Sequence, residues 1–379
     1  MKTAIFALTG RGLATALRLE HEAGLDATIW APEQVLGRAG ELSDHAELCM
    51  ATGADSAGPI GPACRIEAFS RLGAVVPRVW TDCRLLIFVM AAGIVVRQLA
   101  PLLRSKDQDP AVLVLDEEGR FVISLLSGHL GGANAWAASV ASALGATAVI
   151  TTATDNRGLI APDEYARRLG YRVAILSALP ALNSKLLRQG SLSYWSAYEL
   201  APGHPLAGDS GYVRVAAAAD ADFVISAFPA AAGGRVCLIP PVLSVGIGCR
   251  RGVARHEVLA AVDLALDKLG ADIHAVQSIC SIDLKWQERG LREAAAALGV
   301  PLRTFAAAAI QEANEREKLV PSAWVKEKIG VDGVCEAASL LGTKGGSLLL
   351  PKQICGRVTV AISSERFLSS ALAREIGLT

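Results

Sequence analysis

The sequence predicts an α/β protein of more than one domain, with parallel or mixed sheets flanked by helices in an N-terminal α/β region and a separate C-terminal α/β domain. Three observations predict it. Short apolar runs alternate with helical stretches along most of the chain, as strands covered on both faces require. Several of those runs end in glycine turns, at Thr9-Gly10-Arg11-Gly12, Ala91-Ala92-Gly93, Ser127-Gly128-His129 and Gly248-Cys249-Arg250. Finally, the adjacent prolines of Ile239-Pro240-Pro241-Val242 favour an extended connector and mark a domain boundary. With 379 residues the chain exceeds one typical core, and it divides into an N-terminal α/β domain (1–160), a middle region (161–240) and a C-terminal α/β domain (241–379).

The elements follow in order. Residues 2–8 (KTAIFAL) read as a strand, 14–24 (ATALRLEHEAG) as a helix, and ATIWAPE as the next strand. RLLIFV (84–89) is a second buried strand, and Ala91-Ala92-Gly93 leads from it into a helix that carries Arg97 and ends near Pro101. AVLVL (111–115) and FVISLL (121–126) are strands of a hairpin around Asp116-Glu117-Glu118-Gly119. An alanine-rich helix follows Gly131-Gly132, then a strand at 148–152. Helices at 163–169 and 179–189 precede short strands near 212–215 and 222–227, with a Gly- and Pro-rich loop at 201–211. Beyond the prolines come a strand at 243–247, a helix at 255–269, a strand at 278–284, a helix at 287–298 and a strand at 302–305. Residues 348–362 read as two strands around 352–356. No internal repeat is visible.

Composition narrows the function classes. Apolar residues make up 52% of the chain and charged ones 20%, which argues against disorder. Thirty-seven basic residues balance 37 acidic ones, so nothing points to nucleic acid. The apolar run 85–96 is too short to span a bilayer, and the N-terminal apolar run is short for a signal peptide. The eight cysteines (Cys49, Cys64, Cys83, Cys237, Cys249, Cys280, Cys335 and Cys355) are scattered, without zinc or CxxC spacing. They read as reduced thiols of a cytoplasmic protein, and no metal site is expected.

The stretch SGHLGGAN concentrates the chemistry. Gly128, Gly131 and Gly132 leave backbone N–H groups approachable at a helix N-terminus, where an anion or oxyanion is favoured. His129 can work as a general acid or base near neutral pH, with Ser127 and Asn134 orienting it or the ligand. TTATD, one helix later, offers Thr152, Thr154 and Asp155, although Asp155 can equally cap the next helix. Two basic clusters beside glycine turns, Arg97 with Arg104 and Lys106, and Arg250 with Arg251, suit carboxylate ligands. The C-terminal stretch EANEREKLVPSAWVKEK carries Glu312, Asn314, Ser322, Lys326 and Lys328; Ser322 reads as a helix cap, and the charges read as surface or ligand groups. Thr9-Gly10-Arg11-Gly12 lacks the third glycine of a dinucleotide fingerprint, Thr15 standing in its place. No GxSxG elbow, HExxH motif or P-loop is present. The residues alone describe an α/β protein that binds a small anionic ligand, with hydrolysis among its candidate activities.

Four blocks in this order resemble a known family: AAGIVVRQLAPLLRSKDQDPAVLVLDEEGRFVISLLSGHLGGANAWA, GATAVITTATD, VGIGCRRG, and EANEREKLVPSAWVKEKIGVDGVCEAASLL. The resemblance is to CbiG, the cobalt-precorrin-5A hydrolase family of anaerobic vitamin B12 biosynthesis, and is strongest at 85–157 and 243–342. It implies a cobalt-corrinoid small-molecule substrate with acetate and propionate side chains and a lactone joining the ring A acetate to C20. Water opens the lactone, and C20 leaves with its methyl group as acetaldehyde. The cobalt belongs to the substrate, so no cofactor is expected. Neighbouring cobalamin-pathway enzymes and further copies of this chain are the protein partners to consider.

The resemblance brings no assigned catalytic residues. The residues themselves suggest that His129 takes the water proton, that the Gly131-Gly132 turn holds the oxyanion, and that His129, Asp155 or Glu312 serves the carbon–carbon cleavage. Ser127, Gly128, Asn134, Arg97, Thr152, Thr154, Arg250 and Arg251 are the expected substrate contacts. Two other functions compete. A corrinoid carrier would bind intermediates without releasing acetaldehyde. A nucleotide-dependent enzyme using residues 9–12 would gain thermal stability from a nucleotide.

Overall fold

The computed structural model describes residues 2–40, 65–105 and 108–368, in two units, Met1–Arg167 and Arg168–Thr379. The calls on Cys49, Cys64 and Lys106 fall outside the described residues.

The first unit is built on central strands that are apolar apart from the buried Thr3. β1 (Thr3–Ala7), β4 (Leu85–Val89) and β5 (Ala111–Leu115) are buried along their whole lengths. Such strands need cover on both faces, and the side chains divide by the two-residue period. Ile5, Ala7, Ile87, Val89 and Leu113 pack on one face against α1 (Gly10–Glu22) and the later helix Ala133–Leu144. Phe6, Phe88 and Val114 pack on the other against Val75, Val76 and Trp80 of Leu72–Trp80 and Val95 and Leu99 of Ala92–Leu99. The Phe6 and Phe88 rings stack with centroids 5.0 Å apart.

β2 (Ala27–Pro32), β3 (Arg65–Phe69), β6 (Phe121–Leu126) and β7 (Thr147–Val149) complete a seven-stranded sheet in the order β3-β2-β1-β4-β5-β6-β7. β1 to β5 are parallel, β6 runs antiparallel to β5, and β7 is parallel to β6. The reversal comes from the expected hairpin, where Asp116 Oδ1 accepts from the Arg120 and Phe121 amides, each at 2.8 Å, and Gly119 takes φ +65°. It decides which loops can meet. The turns after β6 and β7 share one end of the sheet, where β4 and β5 begin, and the turns after β1 and β4 lie at the other.

The second unit holds two five-stranded sheets and a two-stranded parallel pair, β10 (Glu199–Leu200) with β19 (Phe367–Leu368). One runs β11-β9-β12-β13-β8, from the short strands β8 (Arg172–Ala174), β9 (Leu192–Ser196), β11 (Tyr212–Arg214), β12 (Phe223–Ile225) and β13 (Cys237–Ile239). The other runs β16-β15-β14-β18-β17, in which β14 (Leu243–Cys249), β15 (Val276–Ile282) and β16 (Leu302–Phe305) are parallel. β17 (Ser347–Cys355) and β18 (Val358–Ser364) form an antiparallel hairpin whose turn is Gly356-Arg357, later than the sequence suggests. The strand expected at 278–284 is Val276–Ile282, and residues 283–285 instead make a 3₁₀ turn. Six cysteines (Cys83, Cys237, Cys249, Cys280, Cys335 and Cys355) are free thiols. Among the described residues no helix is long and apolar enough to cross a membrane.

Candidate active site

The turn after β6 is bent by geometry that only particular residues tolerate. Ser127 has φ +58°, an uncommon value for a residue with a side chain. A Cβ on Gly128 would lie 2.7 Å from Asn134 Oδ1, and one on Gly131 would lie 2.5 Å from the Ser127 Cβ. Gly132, the N-cap of helix Ala133–Leu144, has φ +82°. The glycines thus fold the loop tightly back on the helix that follows.

That folding engages one of the two amides on which the oxyanion reading of the Gly131-Gly132 turn rests. The Gly132 amide donates to the His129 carbonyl at 3.0 Å, and those of Ala133 and Asn134 donate to the Ser127 and Gly128 carbonyls, each at 3.1 Å. The loop itself therefore satisfies the first amides of the helix. Ser127 also departs from its expected role: its Oγ donates to the Asp109 carbonyl at 3.0 Å, pinning the turn to the segment before β5. The Asp109 carboxylate accepts in turn from the Arg104 amide.

The loop presents His129, whose side chain is 13% exposed, to two carboxylates. Nε2 lies 3.0 Å from Asp155 Oδ2 and 3.1 Å from Thr154 Oγ1, and Nδ1 lies 3.2 Å from Asp163 Oδ2. Asn134 secures the first carboxylate. Its Nδ2 donates to Asp155 Oδ2 at 3.0 Å and to Thr152 Oγ1 at 2.7 Å, while its Oδ1 accepts from Ser124 Oγ at 2.7 Å. Asp155 lies within the single helical turn Ala153–Asn156 and faces His129. Asp163 opens helix Pro162–Leu169 beside Glu164, which holds Arg167 through contacts of 2.7 and 2.9 Å. The Arg167 stem lies against Gly132.

Electrostatics fix the resting state of this cluster. Burial opposes charge on His129, but the hydrogen bonds and charges of Asp163 and then Asp155 outweigh it and push its pKa up to about 9. Burial acts to raise the Asp155 pKa, but hydrogen bonds from Thr152, His129 and Asn134 lower it below the ordinary carboxylate value. Near neutral pH the ring is an imidazolium donating from both nitrogens. The trio carries one positive and two negative charges, so it does not attract a polyanion by net charge. The carboxylates lie at opposite edges of the ring and do not converge on a point that a metal could occupy.

The structure brings His129, Asn134, Thr152, Thr154 and Asp155 together. Within the same unit, the expected contact Arg97 stands apart. Arg97 lies on the helix after β4, and its Nη1 folds back to the Gly93 carbonyl at 3.0 Å, a turn at the far end of the sheet. Thr9 caps α1 by accepting from the Gly12 amide at 3.1 Å and donates to Glu117 Oε1, so a carboxylate stands where a nucleotide phosphate would sit. Glu312 belongs to the second unit, where helix Ala307–Arg316 buries Ile310, Ala313 and Asn314 and leaves Glu312 exposed. Ser322 makes no side-chain cap. Arg250 and Arg251 are exposed on the turn after β14.

Sequence reasoning missed Asp163 and Ser124. The signal available for Asp163 was its place in Pro162-Asp163-Glu164, an acidic first turn where a capping role is the ordinary reading.

Comparison with known proteins identifies the family. The family description "Cobalamin synthesis G N-terminal" matches residues 74–155, and "Cobalamin synthesis G C-terminus" matches residues 243–363. The first match includes His129 and ends at Asp155, short of Asp163. A Priestia megaterium protein named cobalt-precorrin-5A hydrolase is 31% identical over 314 residues, 79% of this chain and 83% of its own. One of the same name from Salmonella typhimurium is 36% identical over 275 residues, 70% of this chain and 78% of its own. Protein CobE of a Sinorhizobium species is 30% identical over 122 residues, 32% of this chain and 79% of its own. The chain belongs to the cobalamin synthesis G (CbiG) family.

Proposed function

We propose that this protein is a cobalt-precorrin-5A hydrolase of anaerobic cobalamin biosynthesis, acting in the cytoplasm on a small-molecule cobalt corrinoid. Its identity of 31% and 36% over most of the chain to two proteins of that name carries the reading. The half-buried proton-handling cluster around His129 supports it, and the free thiols suit a reducing compartment.

In this reading the reaction adds one water and releases one acetaldehyde. Water attacks the lactone carbonyl, the carbon–oxygen bond to C20 oxygen breaks, and the acetate side chain is freed as a carboxylate. His129, resting as an imidazolium, gives its proton to the departing C20 oxygen, and Asp155 is the candidate base for the attacking water. His129, now neutral, takes the C20 hydroxyl proton back. The C20–oxygen bond becomes a carbonyl, the bond from C20 to the ring breaks, and its electron pair passes into the macrocycle, which takes up a proton. His129 is then an acid first and a base second, the reverse of a histidine that begins by activating water.

The test is anaerobic incubation of the purified protein with cobalt-precorrin-5A, trapping acetaldehyde and recording the product mass. One acetaldehyde per substrate, with the matching loss of a two-carbon fragment, is expected. A folded protein that shifts the corrinoid spectrum and releases no acetaldehyde would be a carrier, and the proposal would fall.

A further inference from the structure

The chain carries no net charge, yet the turn after β14 gathers cations. Arg250, Arg251 and Arg255 all lie between Gly248 and Glu257, and all three are exposed. None has a side-chain hydrogen bond or ion pair among the described residues, although Glu257 and Glu288 are close by. Those carboxylates are engaged elsewhere. Glu288 accepts from the Gly252 amide at 2.8 Å and pairs with Lys285 at 3.3 Å, both side chains being largely buried. Glu257 accepts from the Ala254 amide at 2.9 Å and lies 3.6 Å from Arg357 Nη1.

The turn is also braced. Arg357, from the β17–β18 hairpin, donates to the Arg251 carbonyl at 2.8 Å and to the Gly252 carbonyl at 3.4 Å, and its own carbonyl accepts from the Arg250 amide at 3.0 Å. Arg357 and Glu288 thus fix the backbone of 250–252 from both sides. Long side chains on a fixed backbone lose less freedom on binding. Counting Lys285 and Arg357 with the three unpaired arginines against Glu257, Glu288 and the exposed Asp283, the cluster is positive by two.

The adjoining strand end supplies an apolar surface. β14 and β15 are parallel neighbours with Gly246 opposite Cys280, so the residues just past Cys249 lie beside those just past Ile282. There Leu284 is 70% exposed and Trp286 is 50% exposed. Parallel strands present ligands at their C-terminal ends. Free guanidinium groups beside an exposed indole suit a flat ring edged with carboxylates.

We infer that Arg250, Arg251 and Arg255, with Leu284 and Trp286, form a binding site for a polycarboxylated corrinoid ring. The arginines take the peripheral carboxylates, and the indole covers the ring face. The choice of a corrinoid rests on the proposed function; the selection for a polyanionic ring rests on the cluster itself.

The test is an equilibrium titration of the full-length protein with cobyrinic acid in its dicyano form, and with the same corrinoid fully methyl-esterified, followed by absorbance and tryptophan fluorescence. The free acid is expected to bind more tightly than the ester. Arg250→Ala/Arg251→Ala should lose about tenfold or more in affinity for the acid and little for the ester. Lysines at the same two positions should restore part of that loss, which a folding defect would not allow. Trp286→Ala should remove part of the fluorescence quenching. Equal binding of acid and ester, or unchanged affinity in the double alanine variant, overturns the site. If the wild type releases acetaldehyde while the variants bind and turn over normally, the site falls and the hydrolase reading stands. If no acetaldehyde forms but the acid-over-ester preference depends on the arginines, the hydrolase reading falls and the anionic-ring site stands.

Discussion

The cluster around His129 and the arginine turn at 250–255 place charge in opposite ways. Around His129, each ring nitrogen lies within 3.2 Å of a carboxylate oxygen, Nδ1 of Asp163 and Nε2 of Asp155. Around Arg250 the carboxylates brace the backbone, and three exposed guanidinium groups have no side-chain partner among the described residues. Paired, half-buried charge is weakly screened and fixes a protonation state. Unpaired exposed charge costs little to keep and is available to a ligand. The difference separates two tasks: the first region can hold and move a proton, and the second can recognise carboxylates.

The largest expected effect breaks the first region. His129→Ala removes the only group there able to both give and take a proton near neutral pH, and acetaldehyde release should fall by about 10²–10⁴. Binding of the corrinoid acid should hold. A His129→Ala enzyme with full turnover would end the proton role.

A smaller effect sharpens the comparison. Asp163, whose side chain is 9% exposed, is the more enclosed of the two carboxylates and acts through His129 as a positioning residue. The folded pKa of His129 is raised from 6.5 to about 9, so the cluster's contribution to stability is full below pH 6.5 and is lost as pH rises through 9. Asp163→Asn keeps the shape and removes a charge. The alkaline loss of activity and of the cluster's stability should both move to lower pH, with activity near pH 8 down about tenfold and activity near pH 6 largely kept. An NMR titration of the His129 ring reads the same shift without substrate. A ring that titrates as in the wild type would show that Asp163 does not hold the proton.

What the chain discloses differs between the two regions for a physical reason. The buried strands of the first sheet, the hairpin at 116–119 and the tight SGHLGGAN turn are written in local composition, because they depend on neighbours within a few positions. His129 and Asp155 were legible as residue types at strand ends. The pairing of His129 with Asp163 was not, because it joins positions 34 apart through a helix start whose acids ordinarily serve the helix dipole. Arg97 misled for a related reason: the β5–β6 hairpin reverses the sheet, and a strand-end residue before the reversal lies at the opposite end from one after it. The three-residue strands β8, β11, β12 and β13 are too short to show a period. The arginine turn was legible as charge, but its bracing by Arg357, more than 100 positions away, was not.

The smallest expected effect asks whether the two regions differ in screening as their burial requires. The Debye length falls from about 10 Å at 0.1 M salt to about 3 Å at 1 M, so exposed guanidinium groups lose attraction for a polyanion while contacts inside a half-buried cluster lose little. Raising salt over that range should weaken binding of the corrinoid acid severalfold, leave the ester almost unchanged, and move the His129 titration by only a small fraction of a pH unit. A His129 titration that followed salt as steeply as corrinoid affinity would mean that water reaches the imidazolium freely. The imidazolium would then owe its proton to ordinary surface attraction, and the proposed order of acid first and base second would lose its physical basis.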